Sequence, residues 1–586
     1  MFRANTRHLQ MPMISSISQL PETYRERLAT SWAGTFYREF FVRLDEAPFA
    51  VLYSDKASRP NVPINQLVSL EFLKAGHGWS DAEMYDALCF DLQVRYSLGL
   101  WEVGVDDFDL RTVYNFRKRL TEHAQKTGQN LLDQAFEHVT DAQIAAFGLR
   151  TDKQRMDSTL VASNIREMSR LQLLVEVLQR VHRMLQPAEQ ERYATAFAPY
   201  LRGSAGQYVY HIKGDATAPH LQAIGELMQR LVTELAPTYA AEATYAMLVR
   251  VLGEHFVAQA AQVTVKAGQE ISASSLQSPD DPEATYRNKA GVTSKGYVAN
   301  ITETCAPENP LQLIVKVQTA PNTTDDGDLF AEALPNLVAR TNIEEATTDG
   351  GYNGAAADAA AATYEVRHIQ TAIRGAPPSK EHLTLAEFGL DPDAQDTPAT
   401  LTCPNGQTVP VTAGPKHLKA TFDVERCQGC PFFGGRCRVE PGKRQSGAIL
   451  RFSRHSVDVA RRRQRCAKER AGPKHLRPAV EATVRSVKHP FPGGKLPVRG
   501  CIRSSMLLVG SCAFTNVRRI HRHLVRKQLT NTAQQTENAG AEAEAPLLLR
   551  FRCAFQTATG WLWRALRSDL GNLSPTSHWR LANSTL

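Results

Sequence analysis

The sequence predicts a multidomain α+β protein, and three observations predict it. Its 586 residues are too many for a single hydrophobic core. Apolar residues recur at helical spacing over residues 61–150 and again over 166–270, and runs with strand periodicity lie between and beyond those stretches. The expected division is an N-terminal segment (1–60), a helical domain (61–150), an α/β core split between 151–165 and 291–375, and a helical insertion (166–290). A Cys-rich insertion (376–445), a basic C-terminal part of the core (446–528) and a linker with tail (529–586) complete it.

In chain order, residues 1–60 offer only a helix near Glu22 to Leu28. From Pro63, Leu67, Leu70, Phe72 and Leu73 form one apolar stripe and Met84, Leu88 and Leu92 another. Ser80, with Glu83 three residues on, reads as a helix start. A further helix over Asp109 to Leu120 carries four cations, Arg111, Arg117, Lys118 and Arg119.

The core opens on Arg155 to Ser163, a short strand in which Asp157 is the lone carboxylate. An acid inside such a strand is costly unless a metal, hydrogen bonds or solvent receives it. A second acid, Asp349, ends a strand over Ile343 to Thr348, and Gly350 and Gly351 permit a tight turn there. Between them, Tyr297–Thr304 and Leu311–Gln318 read as a hairpin, followed by a helix over Asp325–Arg340 that Pro335 is able to kink. Strand, hairpin, helix, strand is the order of a ribonuclease-H-like core, whose first and fourth strands lie side by side and bring two Asp to one pair of metal ions. Residues 166–270 interrupt this order with a two-sided apolar helix (Leu171, Leu174, Val175, Leu178, Val181, Leu185) and helices near 219–235 and 243–260, without evident chemistry. Beyond Asp349, Ala355 to Tyr364 is helical, Val366 to Ile373 is a fifth strand and Pro377 to Thr400 is a linker.

Four cysteines follow, Cys403, Cys427, Cys430 and Cys437. The Cys427-x-x-Cys430 knuckle with two further thiols reads as a structural zinc site, or else as a reduced-thiol subdomain without an ion. The other six cysteines are scattered as free thiols are. From Arg451 to Thr530 the chain has 20 Lys and Arg against three acids, a net of +17 in a protein whose total is +8. Charge concentrated in this way is the footprint of a phosphate-backbone ligand. A helix near Cys501 to Leu524 ends this segment, residues 529–545 read as disordered, and Trp561, Trp563 and Leu566 fit an amphipathic helix. No apolar run is long enough to span a bilayer, and the N-terminus lacks a signal-peptide core, so a cytoplasmic protein is expected.

The third acid is Glu481. Pro478 suits the first turn of a helix that must end before Pro490. In it Val480, Val484 and Val487 form an apolar stripe and Glu481, Arg485 and Lys488 a polar one, whereas Glu469 sits among cations with no stripe to direct it. The spacing Lys474-x-x-Arg477-x-x-x-Glu481 and on to Lys488 resembles the Tyr-Arg-Glu-Lys signature of DDE transposases of bacterial insertion sequences, with Lys474 in place of Tyr. With Asp157-Ser158-Thr159 and Thr348-Asp349-Gly350-Gly351-Tyr352, residues 60 to 525 resemble the insertion sequence 1182 group. Asn516, Arg518 and Arg519 resemble that family's closing Asn-x-x-Arg run.

The resemblance implies that residues 61–150 are a DNA-binding domain using Arg111, Arg117, Lys118 and Arg119. It implies that Asp157, Asp349 and Glu481 hold Mg²⁺, or Mn²⁺ as a substitute, and that Lys474, Arg477, Arg485 and Lys488 meet DNA. The implied activity is metal-dependent cleavage and strand transfer on double-stranded DNA, at terminal inverted repeats and at target DNA. The working form would be a homodimer or larger synaptic complex in the bacterial cytoplasm, nucleoid-associated when DNA-bound. Two other functions fit the same residues: a metal-dependent nuclease that cuts without joining, and a DNA-binding regulator with a decayed site.

Overall fold

In the computed structural model, the residues described are 1–539 except 55, 57–59, 106, 260–261, 290, 374–379, 392–396, 442–446 and 471–477. Lys474, Arg477 and the tail with Trp561, Trp563 and Leu566 therefore lie outside the described residues.

The N-terminal part is helical, with α1 (Ile64–His77), α2 (Asp81–Phe90), α3 (Leu110–Thr127) and α4 (Leu131–Phe147) as its main elements. Ser80 caps α2 reciprocally with Glu83, each side chain accepting the other's backbone N–H, as the sequence predicts. These helices share one apolar cluster with Phe36, Phe40, Phe41 and Phe49 of the first sixty residues, with strand residues such as Ile301 and Ile314, and with Val487 and Phe514 far along the chain. The first sixty residues thus supply four phenylalanines to the largest core.

The main sheet contains β1 (Lys153–Ala162), β2 (Thr285–Lys289), β3 (Val292–Thr304), β4 (Ile314–Pro321), β5 (Glu345–Thr348) and β6 (Arg367–Gln370). Its order is β2-β3-β1-β5-β6, with β4 also paired to β3. β1 runs antiparallel to β3 and parallel to β5, and β5 runs parallel to β6. The first and fourth strands of the expected succession are therefore neighbours. One face of the sheet packs on the cluster above. The other packs Met156, Val315 and Ala346 against Phe330, Leu334 and Leu337 of a helix over Asp326–Arg340, which contains Pro335 and is capped by the Asp325 carboxylate.

Between β1 and β2 the insertion folds around its own apolar cluster, built on helices α5 (Arg170–Met184), α6 (Thr217–Tyr239) and α7 (Ala243–His255). The helix expected to reach residue 260 stops at His255. Phe256–Gln259 and Gln262–Val265 form a hairpin instead, in keeping with the β-branched Val257, Val263, Thr264 and Val265.

Six short strands between Gly389 and Phe452 form a second, antiparallel sheet with a separate core that includes Phe388, Leu401, Phe422 and Phe452. The linker expected over 377–400 is only partly a linker, because Gly389–Leu390 and Thr400 belong to this sheet. Three helices follow, α10 (Arg454–Arg470), α11 (Pro478–Lys488) and α12 (Cys501–Ala539), after α8 (Asp326–Arg340) and α9 (Ala355–Thr363) earlier in the core. α12 continues through residues 529–539, where disorder is expected; the Gln, Ala and Glu there are good helix formers. A Cβ at Gly510 of α12 would stand 2.8 Å from the Ala75 side chain and 3.2 Å from the Phe72 backbone, so glycine is what allows α12 to lie this close to α1.

Two polar contacts fix α12 and α11 on the sheet. Asn516 grips Ile314 at the start of β4, accepting its N–H and donating to its carbonyl, both at 2.8 Å. Glu303 of β3, with no side-chain exposure, accepts from Arg155 Nε of β1 at 2.6 Å, Arg519 of α12 at 2.7 Å and Thr483 Oγ1 of α11 at 2.7 Å. Removing that carboxylate would take a charge partner from two largely buried guanidiniums, which costs about 3–5 kcal/mol. Glu303→Ala is expected to lower the unfolding free energy measured by chemical denaturation by an amount in that range; a change under about 1 kcal/mol would contradict the pairing.

Candidate active site

Asp157 lies within β1, and Asp349 follows the last residue of β5 as the cap of a short turn, its Oδ1 accepting from Gly351 N at 2.7 Å. The parallel register pairs Lys153 with Glu345 and Arg155 with Thr347. Carried two residues further, the same offset sets Asp157 level with Asp349. Glu481 comes from α11, whose Val480 and Val487 are fully buried and whose Val484 packs on the same cluster as β1. Burying the valine stripe turns the polar stripe toward β1.

The three acids line one pocket of about 580 Å³, together with Ser158, Thr159, Lys289, Arg485, Lys488 and His489. Lys488 closes one side of it, donating from Nζ to Leu160 O at 2.9 Å and Thr159 Oγ1 at 3.2 Å. Burial lowers the Lys488 pKa. Lys289 and Arg485 are exposed on the same pocket. The sequence marks Arg485 and Lys488 but not Lys289 or His489, because neither the Lys at the end of a short strand nor the His after a helix carries a periodic signal.

Behind the acids stands Tyr352, fully buried, its hydroxyl donating to Asn300 Oδ1 at 2.6 Å. Burial, then the charges of Asp326, Asp157 and Asp349, push that phenol far up, so it stays a neutral donor. Asp326, in the first turn of α8, is 5% exposed. Burial also pushes its carboxyl up, with Ser158, Arg287 and Lys289 opposing and Asp349 adding to the rise. The sequence gives no sign of it, since acids in a first helical turn are ordinary.

Among the described residues, no group of three or more His, Cys, Asp or Glu is placed so as to hold a metal ion. The donor set of the pocket nevertheless suits a hard divalent cation. Its acids are carboxylate oxygens, and the neighbouring Asp326 Oδ1 is buried with no hydrogen-bond partner among the described residues.

Outside the pocket, Arg367 of β6 holds Glu469 at 2.5 Å, and Glu469 is not among the residues lining the site. On α3, Arg117 donates to Glu71 at 2.7 Å and approaches Asp81 at 2.8 Å. Although burial opposes it, Arg117 and Lys74 bring Asp81 down to about 2. Arg117 is thus engaged within the helical region, whereas Arg111 and Lys118 are exposed and Arg119 stacks over the Tyr53 ring at 4.8 Å. The closing run is also internal: Asn516 and Arg519 bond as above, and Arg518 lies over Phe514 at 4.5 Å.

Cys403, Cys427, Cys430 and Cys437 line a second, small pocket in the second sheet. Gln407 donates to the sulfurs of Cys403 (3.3 Å) and Cys427 (3.9 Å). Burial and the neighbouring cysteines raise the thiols of Cys427 and Cys437.

Residues 402–521 match the family model described as Transposase DDE domain, which supports a DDE transposase. The matched span contains Glu481, Asn516 and Arg519 but neither Asp157 nor Asp349. No curated protein and no solved structure matches the chain. No helix among the described residues is long and apolar enough to cross a membrane.

Proposed function

We propose that the chain is a DNA transposase with a ribonuclease-H-like catalytic core, which binds the terminal inverted repeats of its element and catalyses metal-dependent cleavage and strand transfer. The observation that carries this reading is the meeting of Asp157, Asp349 and Glu481, from three distant segments, on one pocket with Lys289, Arg485 and Lys488. The family match over residues 402–521 agrees with it.

Asp157, Asp349 and Glu481 would hold Mg²⁺, or Mn²⁺ in its place. A divalent ion bound there supplies Lewis acidity toward phosphodiester oxygens. Lys289 and Arg485 offset phosphate charge at the pocket mouth, and Lys488 fastens α11 to β1 so that Glu481 keeps its place. The reaction proposed is hydrolysis at an element end, followed by attack of the freed 3′ hydroxyl on target DNA. In each step one P–O bond forms as another breaks, and no protein nucleophile is used. Double-stranded DNA is the partner, and work on two ends calls for a homodimer or larger complex. Arg111 and Lys118, both exposed on α3, would meet phosphates.

A second ion is proposed for the cysteines. Cys403, Cys427, Cys430 and Cys437 are soft donors around one small pocket, with Gln407 donating to two of the sulfurs, a set that suits structural zinc.

Asp157→Ala and Asp349→Ala should each reduce Mg²⁺-dependent cleavage of a terminal-repeat substrate by more than about 100-fold, beyond the usual loss for outer-shell partners of a metal site. Binding of the same DNA in a mobility-shift assay should survive. Glu481→Gln should behave like them, and Glu469→Gln like wild type because Glu469 pairs with Arg367. Wild-type cleavage by Glu481→Gln would sink the assignment. Elemental analysis of protein purified without chelator should find about one zinc per chain, lost in the Cys427→Ser, Cys430→Ser double variant. Finding no zinc in the unaltered protein would refute the zinc site.

A further inference from the structure

Asp326 is a buried carboxylate that the proposed chemistry does not use. It begins α8, 95% shielded from solvent, and its Oδ1 has no hydrogen-bond partner among the described residues. An orphaned anionic oxygen inside a protein carries the full cost of desolvation unless something positive meets it. Arg287 and Lys289 act on Asp326 only through space, and Arg287 spends a donor on the Asn322 carbonyl.

Its position is set by Gly351, in the turn after Asp349. A Cβ built on Gly351 would lie 2.6 Å from Asp326 Oδ2 and 2.9 Å from Asp349 Oδ1. The two carboxylates therefore flank one point, and only glycine leaves that point open. Ser158, next to Asp157 in β1, hydrogen-bonds to Asp326. Asp326 is thus tied to the segments of both strand acids while lying behind the pocket they line.

We propose that Asp326 is a fourth oxygen donor of the site, offering Oδ1 to the cation held by Asp157 and Asp349. The assignment rests on the metal-dependent reading of the pocket. It explains three things together: the unpaired oxygen, the acid beside an acid, and the glycine between them. The other account is that Asp326 only braces β1 through Ser158, in which case its charge is irrelevant to cation binding.

The test uses the full chain without DNA. Mn²⁺ affinity is measured by calorimetry or electron paramagnetic resonance for wild type, Asp326→Asn, Asp349→Asn and Gly351→Ala, alongside melting temperatures with and without Mn²⁺. Asp326→Asn keeps the shape and the bond to Ser158 but removes the charge. It should weaken Mn²⁺ by about 10- to 100-fold, and its metal-free melting temperature should be no lower than that of wild type, because an uncompensated buried carboxylate has gone. The rise in melting temperature that Mn²⁺ gives wild type should shrink in the variant. Unchanged Mn²⁺ affinity in Asp326→Asn, with Asp349→Asn impaired, overturns this inference and leaves the proposed function standing. Wild type that binds no Mn²⁺ overturns both. Should Asp326→Asn fail to fold, Gly351→Ala decides: its methyl pushes the two carboxylates apart and should weaken Mn²⁺ similarly, and wild-type affinity there would refute the proposal.

Discussion

Glu303 is the carboxylate on which the geometry of the site depends. It faces Arg155 directly across the β1–β3 pairing, and it also receives Thr483 of α11 and Arg519 of α12. Thr483 is two residues from Glu481, and Arg155 is two residues from Asp157. One buried acid therefore ties the strand that bears the first pocket acid to the helix that bears the third, across more than three hundred residues of chain. Apolar packing of the valine stripe could hold α11 against the sheet at several settings along its axis. A directional charge-assisted network selects one of them.

Asp281 repeats the device where the insertion returns to the core. Its carboxylate, almost wholly buried, accepts from Ser163 after β1, Tyr297 of β3 (2.5 Å) and Gly500 before α12 (3.0 Å). The insertion keeps its own apolar core, so its entry and exit need only be pinned at this point for β1 and β3 to pair as if contiguous. Acids at the pocket and acids beneath the sheet thus have opposite fates. Glu303 and Asp281 are saturated by donors and hold structure, while Asp326 keeps an oxygen without one among the described residues.

Much of this was legible in the sequence because it rests on local signals. The Ser80 and Glu83 box, the apolar stripe of α5, the strand–hairpin–helix–strand succession and the run of α11 between Pro478 and Pro490 each depend on residues close together in the chain. The site was legible as far as its three acids. What escaped depends on partners distant in sequence. Lys289 reaches the pocket only once β2 is paired to β3, Asp326 comes near Asp349 only once α8 lies beside the turn after β5, and Arg117 reads as a surface cation until Glu71 and Asp81 face it. The first sixty residues looked uninformative because their phenylalanines lack a regular period, although they enter the largest core. The α7 end was misjudged because an apolar run at helical spacing also suits the hairpin that replaces it.

Under the proposed function, Asp157, Asp349 and Glu481 together hold the ion on which DNA cleavage depends. Its most direct test is anomalous diffraction at the manganese edge from crystals of the protein grown with Mn²⁺ and a terminal-repeat duplex. A peak bounded by carboxylate oxygens of these three residues and a DNA phosphate is expected. Manganese bound in the same crystals at another site, with this pocket empty, would contradict it.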